Sequence, residues 1–160
     1  TQSIDKAIAK LAELAPSIAT FDPQPDGYTM IMNDALVWAT GWNARSQYFF
    51  TQSKGRLGVM LPSEGSVLQI NTINAVKGAK NAAAAQAFMR YALSAEVQAA
   101  FTEKMFYAPV NKAAKISAEA MARTATASLD RMIPVNWGEI AKVRDQWNNR
   151  WKREIIARSR

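Results

Sequence analysis

The sequence contains no cysteine and no histidine. Without cysteine the chain cannot form a disulfide bond or a thiolate metal site. Without histidine it lacks the usual general base, so Ser/His/Asp and Cys/His catalytic arrangements are excluded, and so is the commonest zinc ligand. An enzyme would have to use carboxylates or lysine, and no two acidic residues stand at a spacing that suggests a catalytic pair. The sequence therefore predicts no enzymatic activity, no cofactor and no metal.

Long apolar runs are also missing. No stretch of about 18 apolar residues occurs, so the sequence predicts no membrane-spanning helix, and the first residues lack the profile of a signal peptide. The length of 160 residues is sufficient for a real core, because a domain of this size buries roughly two thirds of the surface of its unfolded chain.

The net charge of +7 is concentrated at one end. Residues 142–160 hold seven basic side chains against two acidic ones, whereas the rest of the chain is nearly balanced, at 13 against 11. The seven are Lys142, Arg144, Arg150, Lys152, Arg153, Arg158 and Arg160. Basic residues are favourable at the negative end of a helix dipole. A partner-docking face and a nucleic-acid or polyanion site are the alternatives.

Apolar runs separated by turns lie in the middle of the chain. Leu57–Leu61 is typical of a buried strand, and Pro62 ends it. The turn at residues 63–66 leads to an alternating strand whose outward positions are Gln69 and Asn71. A third short apolar run covers Ile73–Val76. Polar residues therefore gather where strands are predicted to end.

Capping residues and apolar periodicity predict the helices. The predicted helices are Tyr28–Met32, one starting near Asn43, Ala82–Leu93 capped by Asn81, one running from Ser94 to Tyr107, Ala118–Thr124 capped by Ser117, and a last one that starts at Asn136. Trp147 and Trp151 lie on one stripe of the last helix and are predicted core residues. Ala35–Ala39 is apolar throughout, as expected for a parallel strand covered on both faces. Helices alternating with strands indicate an α/β fold.

Three residues follow the strand predicted at Ala35–Ala39. Open α/β sheets bind ligands at the carboxyl ends of strands, beside helix N-termini, and Trp42, Asn43 and Arg45 would lie at such a place. A cation in the first turn opposes the helix dipole, at a cost on the order of 0.3–1 kcal/mol when exposed. An anion near Arg45, either a ligand carboxylate or a protein carboxylate such as that of Glu64, would explain this position. Plain solvation of the guanidinium is the alternative.

Several motifs occur in an order and spacing typical of one family. They are Gly41-Trp42-Asn43, Pro62-Ser63-Glu64-Gly65, Asn71, Lys77-Gly78-Ala79-Lys80-Asn81, Ala85, Phe88, Ser94, Glu96-Val97-Gln98 and Tyr107-Ala108-Pro109-Val110-Asn111-Lys112. This succession resembles the polyamine (spermidine/putrescine)-type extracellular solute-binding proteins of bacterial ABC importers. The resemblance extends over residues 3–155.

The resemblance implies an α/β fold like that of type II periplasmic binding proteins, in which two lobes close on a solute. Such receptors are roughly twice as long as this chain, so the chain is expected to be a C-terminal half. Residues 1–72 would be part of the second lobe, and residues 73–160 the helical portion that returns to the first. A periplasmic location and a membrane permease as partner are implied as well. Without a first lobe, apolar faces would be left uncovered, which favours homodimerisation or segment exchange.

In the resembling family an indole and two side chains after the Pro-x-Glu-Gly turn hold the ligand. These fall on Trp42, Gln69 and Asn71, and Asn43, Arg45 and Ser66 are further candidates. A core tryptophan is the alternative interpretation of Trp42. Polyamine binders present an aromatic residue and an aspartate where this chain has Gln69 and Asn71. Two neutral amides beside Arg45 favour a solute that carries a carboxylate, such as an amino-acid derivative or an amine conjugate.

The function predicted from the sequence is thus capture of a small amine or amino-acid-like solute for an ABC importer. The alternative is a basic module that binds nucleic acid or another polyanion through the terminal helix.

Overall fold

A computed structural model describes residues 3–158. The elements are α1 (Asp5–Leu14), α2 (Gly27–Met32), α3 (Asn43–Gln52), β1 (Ser66–Val67), α4 (Ala82–Ala92), α5 (Ala95–Met105), α6 (Ala118–Arg123), β2 (Met132–Ile133) and α7 (Trp137–Glu154), with short 3-10 helices at Ala15–Ser17, Ala125–Arg131 and Ile156–Arg158. No helix within residues 3–158 has both the length and the apolar character needed to cross a membrane. Arg160, one of the seven basic residues counted above, lies outside the described residues.

The chain divides into two compact units. Unit 1 combines the residues up to Ala39 with those from Val135 onward, and unit 2 is the continuous segment Thr40–Pro134. These boundaries differ from the predicted lobe boundary after residue 72. That boundary refers to a two-lobe receptor and stays a prediction.

The core of unit 1 lies between α1 and α7. Ile8, Ala15 and Ile155 are buried there. Trp151 of α7 packs against this cluster, and its ring meets that of Phe21 edge to face, with 4.9 Å between centroids. Trp151 packs on this core as predicted, partly buried, and α1 provides the partner surface for the apolar stripe of α7. Trp147, also predicted to be a core residue, is half-buried and is not among the residues that pack against this cluster.

An ion-pair cluster joins the same two helices. The guanidinium of Arg150 lies 2.6 Å from the carboxylate of Asp5 and 2.8 Å from that of Glu154. Hydrogen bonds from Ser3 and then Arg150 hold the pKa of Asp5 below its ordinary value of 3.8. The hydrogen bond from Arg150 likewise lowers the pKa of Glu154 below 4.5.

We expect Arg150→Gln to lower the melting temperature of unit 1 at neutral pH and to have less effect in acid. Both carboxyl pKa values are depressed in the folded state. Their contribution is therefore present above the ordinary carboxyl pKa values and is lost as the pH falls through the lower folded ones. Thermal unfolding from pH 7 to pH 3 measures this. Lys10→Gln, which breaks the exposed pair between Lys10 and Glu13, is the control and should change little. A melting difference for Arg150→Gln that is constant with pH would contradict the prediction.

Helices α4 and α5 of unit 2 form a hairpin that side-chain amides close. Asn111 donates to the carbonyl oxygen of Leu93 at 2.8 Å, and Gln98 donates to that of Ala92 at 2.8 Å. The same Gln98 side chain accepts from the amide of Val110 at 3.1 Å. The carbonyl groups at the end of α4 thus find partners. Asn111 and Gln98 have structural roles in this hairpin.

Three predicted helix caps are confirmed. The side chains of Ser94, Ser117 and Asn136 accept from backbone amides three residues later, at 3.4, 3.0 and 3.2 Å. Asn81 precedes α4 as predicted, but its side chain makes no capping bond. The Asn81 cap prediction is therefore wrong in its mechanism and right about the helix boundary.

Three predicted strands are wrong. Ala35–Ala39, Leu57–Leu61 and Ile73–Val76 have irregular backbone, and Val37 and Met60 within them are 95% and 83% exposed. A strand requires a neighbour that accepts and donates its backbone hydrogen bonds. Within residues 3–158, β1 and β2 are the one strand pair that forms.

The two strands pair in parallel, with Ser66 opposite Met132. The turn before β1 makes this possible. The amide of Gly65 donates to the carbonyl oxygen of Pro62 at 3.1 Å, and Gly65 has a φ of +104°. A side chain at Gly65 would overlap the carbonyl oxygen of Arg131, just before β2. Glycine therefore allows the two segments to approach.

Candidate functional site

The first group of predicted site residues lies at the start of α3. Trp42 is the residue that precedes the helix, and it is 63% exposed. Asn43 is the first helical residue, as predicted. Arg45 follows in the first turn, with its guanidinium 5.7 Å from the centroid of the Phe49 ring. The first turn of α3 contains no acidic residue, and the side chain of Trp42 does not cap it, so this end keeps the positive potential of a helix N-terminus.

The side chain of Asn43 is engaged within unit 2. Its amide nitrogen donates to the carbonyl oxygen of Arg123 at 2.8 Å. Its carbonyl group accepts from Gln47 at 3.4 Å. Sequence reasoning missed Arg123 altogether, since its partners on α3 lie 72 to 80 residues away. The one local signal was Glu119, four residues earlier, which forms an ion pair with it at 2.8 Å.

The second group lies at β1 and in the segment that follows it. Ser66 is half-buried and pairs with β2. Gln69 and Asn71 are exposed in irregular backbone. They point to solvent as predicted, although the strand that was to present them is two residues long. Glu64 in the preceding turn has a lowered pKa, because its own backbone amide and the hydroxyl of Ser63 donate to its carboxylate.

All six candidates belong to unit 2, and they differ in how far they are available. Trp42, Arg45, Gln69 and Asn71 are exposed. Asn43 and Ser66 take part in contacts that hold the fold. The exposed members offer an aromatic face, a guanidinium and two neutral amides. Such groups bind a small polar molecule by stacking and hydrogen bonding.

Two surface cavities occur in unit 1. One is lined by Gln146, Asn149, Lys152 and Arg153, on the basic part of α7. The other lies between the start of α1 and the side chains of Trp147 and Arg150. Neither includes a predicted site residue. Residues 3–158 also contain no group of three acidic, histidine or cysteine side chains that could hold a metal ion.

Comparison with known proteins shows to which protein family the chain is related. The model of the bacterial extracellular solute-binding protein family matches residues 1–150. The 1.85 Å crystal structure of an ABC transporter from Clostridium perfringens ATCC 13124 is similar to the chain, with 31% sequence identity and a TM-score of 0.69. The similarity covers 94% of this chain and 48% of that one, so the chain spans about half the length of the structure that it matches. No curated protein matches the sequence.

These similarities confirm the predicted fold class, a partial fold like that of periplasmic binding proteins. The family is one of binding proteins, in agreement with the prediction of no enzymatic activity. The family match extends over nearly the whole sequence and includes both groups of site candidates. The chain belongs to the bacterial extracellular solute-binding protein family.

Proposed function

We propose that the chain is the C-terminal half of a two-lobe receptor that captures a small solute for an ABC importer. The family match over residues 1–150 and the half-length similarity to an ABC transporter structure support this. The receptor acts outside the cytoplasmic membrane, in the periplasm or at the cell surface, and delivers solute to a membrane permease. It performs no chemistry. Binding energy that differs between open and closed lobes provides the signal to the permease.

The observation that carries the proposal is the exposed indole at the positive end of α3. Trp42 is 63% exposed and lies three residues before Arg45. An aromatic side chain buries a large apolar area when something packs on it, so a solute that covers Trp42 gains from stacking. A carboxylate on that solute would be attracted to Arg45 and to the helix N-terminus.

The class of solute is inferred from the second group of predicted site residues, which lies at β1 and in the segment after it. Gln69 and Asn71 are neutral, so they supply ordinary hydrogen bonds in place of a charged acceptor for ammonium groups. With Arg45 nearby in the proposed cleft, the site suits an amino-acid derivative or an amine that carries a carboxylate. A simple polyamine, which is cationic throughout, suits it less well.

We expect a carboxylate-bearing amine to raise the melting temperature of the full two-lobe receptor that contains this chain in a thermal-shift screen. A ligand at 100 times its dissociation constant stabilises by roughly 2.7 kcal/mol. Trp42→Ala and Asn71→Ala should each weaken a hit by about tenfold, because each removes roughly 1.4 kcal/mol of contact. Isothermal titration calorimetry measures the loss.

Trp38→Ala is a matched control, since Trp38 is 64% exposed and Trp42 is 63% exposed. Its removal should leave the affinity unchanged within about twofold. Equal losses for Trp38→Ala and Trp42→Ala would mean that the indole at residue 42 has no special role. A panel in which carboxylate-bearing amines never shift the melting temperature would overturn the proposed solute class.

In this receptor, residues 1–72 would contribute to the second lobe and residues 73–160 would return to the first. Large apolar side chains at Val37, Met60, Val76 and Phe88 are 95%, 83%, 77% and 62% exposed. The other half of the receptor would cover such surfaces. The isolated chain is therefore expected to self-associate, as a homodimer or by segment exchange. Sedimentation velocity over a wide concentration range tests this, and a monomer at every concentration would contradict it.

A further inference from the structure

Arg123 of α6 contacts every turn of α3. Its Nε and one terminal nitrogen donate to the side chain and the backbone carbonyl of Gln47, both at 2.9 Å. The same terminal nitrogen donates to the hydroxyl of Thr51 at 2.7 Å. The backbone carbonyl oxygen of Arg123 accepts from Asn43 at 2.8 Å. The three partners are four residues apart, so they lie on one face of α3.

Aromatic rings cover the guanidinium of Arg123. Its central carbon lies 3.8 Å from the centroid of the Phe106 ring and 5.2 Å from that of Phe50. The side chain is 16% exposed. A planar guanidinium can stack on a ring while its in-plane N–H groups donate in several fixed directions, whereas a lysine ammonium is a compact point charge that lacks this planar fork. The contact set is therefore specific for arginine.

Helix α6 is itself anchored in unit 2. The carboxylate of Glu103 on α5 accepts from the hydroxyl of Ser117, at the start of α6, at 2.9 Å. Ala120 and Thr124 are each 1% exposed. Arg123 thus projects from a short helix whose cap residue Ser117 is held by Glu103 and whose Ala120 is buried, although most other residues of the helix are exposed. Its hydrogen bonds therefore hold α3 in a fixed position relative to α6.

The face of α3 that Arg123 holds determines where the opposite face lies. Successive residues of an α-helix are separated by about 100°, so Arg45 is about 200° around the axis from Asn43. Rotation of α3 about its axis would move Arg45 and break the three contacts to Arg123 at the same time. The contacts on one side therefore fix the direction in which the Arg45 side chain leaves the helix on the other.

We propose that Arg123 is a positioning residue of the solute site: by binding Asn43, Gln47 and Thr51, it fixes the rotation of α3 and so the places of Trp42 and Arg45. Asn43 acts with it as a positioning residue and does not contact the solute. The expected effect of Arg123 on solute affinity rests on the proposed function. The effect of Arg123 on the position of α3 can be measured without any solute.

The test compares Arg123→Lys with Arg90→Lys, in which an exposed arginine of α4 is changed in the same way. Hydrogen exchange of the α3 amides should become about tenfold faster in Arg123→Lys, while exchange in α4, α5 and unit 1 should stay the same. With fluorotryptophan in all five tryptophan positions, the resonance assigned through Trp42→Phe should shift. Arg90→Lys should change neither. An unchanged α3 and Trp42 signal, or equal acceleration throughout unit 2, would overturn the proposal.

Solute binding separates this proposal from the function on which it rests. With a solute identified by the thermal-shift screen, Arg123→Lys should weaken binding by about fivefold to tenfold at a temperature where the variant is fully folded. Wild-type affinity in that variant would overturn the positioning role. If wild-type protein binds no solute while the exchange and fluorine signals respond as expected, the clamp on α3 stands and the proposed function fails.

Discussion

Gly65→Ala should lower the stability of unit 2 by about 3 kcal/mol. Two separate costs combine. The backbone at Gly65 has a φ of +104°, which L-residues rarely adopt. In addition, the new methyl group would overlap the carbonyl oxygen of Arg131 and press on the side chain of Ile133. Backbone atoms cannot move aside as a flexible side chain can, so the pairing of β1 with β2 has to yield.

Alanine substitutions at two other glycines measure the cost of the positive φ separately from the cost of the steric overlap. Gly78 has a φ of +76° and open space around its Cα, so Gly78→Ala should cost only about 1 kcal/mol. Gly58 has neither a positive φ nor a close neighbour, and Gly58→Ala should be neutral or slightly stabilising. Urea unfolding, monitored by circular dichroism, ranks the three variants by their loss of stability. Equal effects at Gly65 and Gly78 would show that the approach to Arg131 is unimportant.

The expected loss of β1–β2 pairing in Gly65→Ala also affects the candidate site. Gln69 and Asn71 follow β1 within a few residues, and the segment that contains them has no regular structure of its own. The pairing of Ser66 with Met132 and of Val67 with Ile133 connects the start of that segment to β2. Loss of the pairing should therefore release both amides from their place.

Ile155→Ala should destabilise unit 1 by about 3 kcal/mol, in the range for a fully buried large-to-small change. Ile155 is 0% exposed at the end of α7, in the cluster that includes Ile8 and Ala15. Few side chains in this unit are fully buried, so the cavity would lie in the centre of a small core. Partial collapse of Trp151 onto the gap would reduce the loss.

The neighbouring Ile156 is the control, since it is chemically identical and 41% exposed. Ile156→Ala should cost less than about 0.5 kcal/mol. Calorimetric melting of the two variants gives the comparison. A loss at Ile156 as large as that at Ile155 would mean that burial in this structure does not determine the stability of unit 1.

The sequence predicted helices well because their signals are local. Ser94, Ser117 and Asn136 each accept from an amide three residues away, so the cap and the helix start are encoded in one short segment. Strands were predicted poorly for the opposite reason. Ala35–Ala39 has the composition of a buried strand, but composition cannot provide the neighbouring backbone that a strand needs.

The candidate site was predictable in part. The outward positions of Gln69 and Asn71 followed from the alternating pattern after the turn, and the family motifs indicated Trp42, Gln69 and Asn71 as site positions. The engagement of Asn43 was not predictable, since its partner Arg123 lies 80 residues further along the chain. Contacts at such a separation leave no pattern in a single sequence.

The division into units has a consequence for biosynthesis. The core of unit 1 brings together Ile8, near the start of the chain, and Ile155, near its end. Unit 2 is one uninterrupted segment between them. As the polypeptide leaves the ribosome, unit 2 has all its residues available first, while α1 must wait for α7 to emerge. Until then the apolar stripe of α1 has no α7 to pack against, so it stays uncovered by its partner helix while the whole of unit 2 is synthesised.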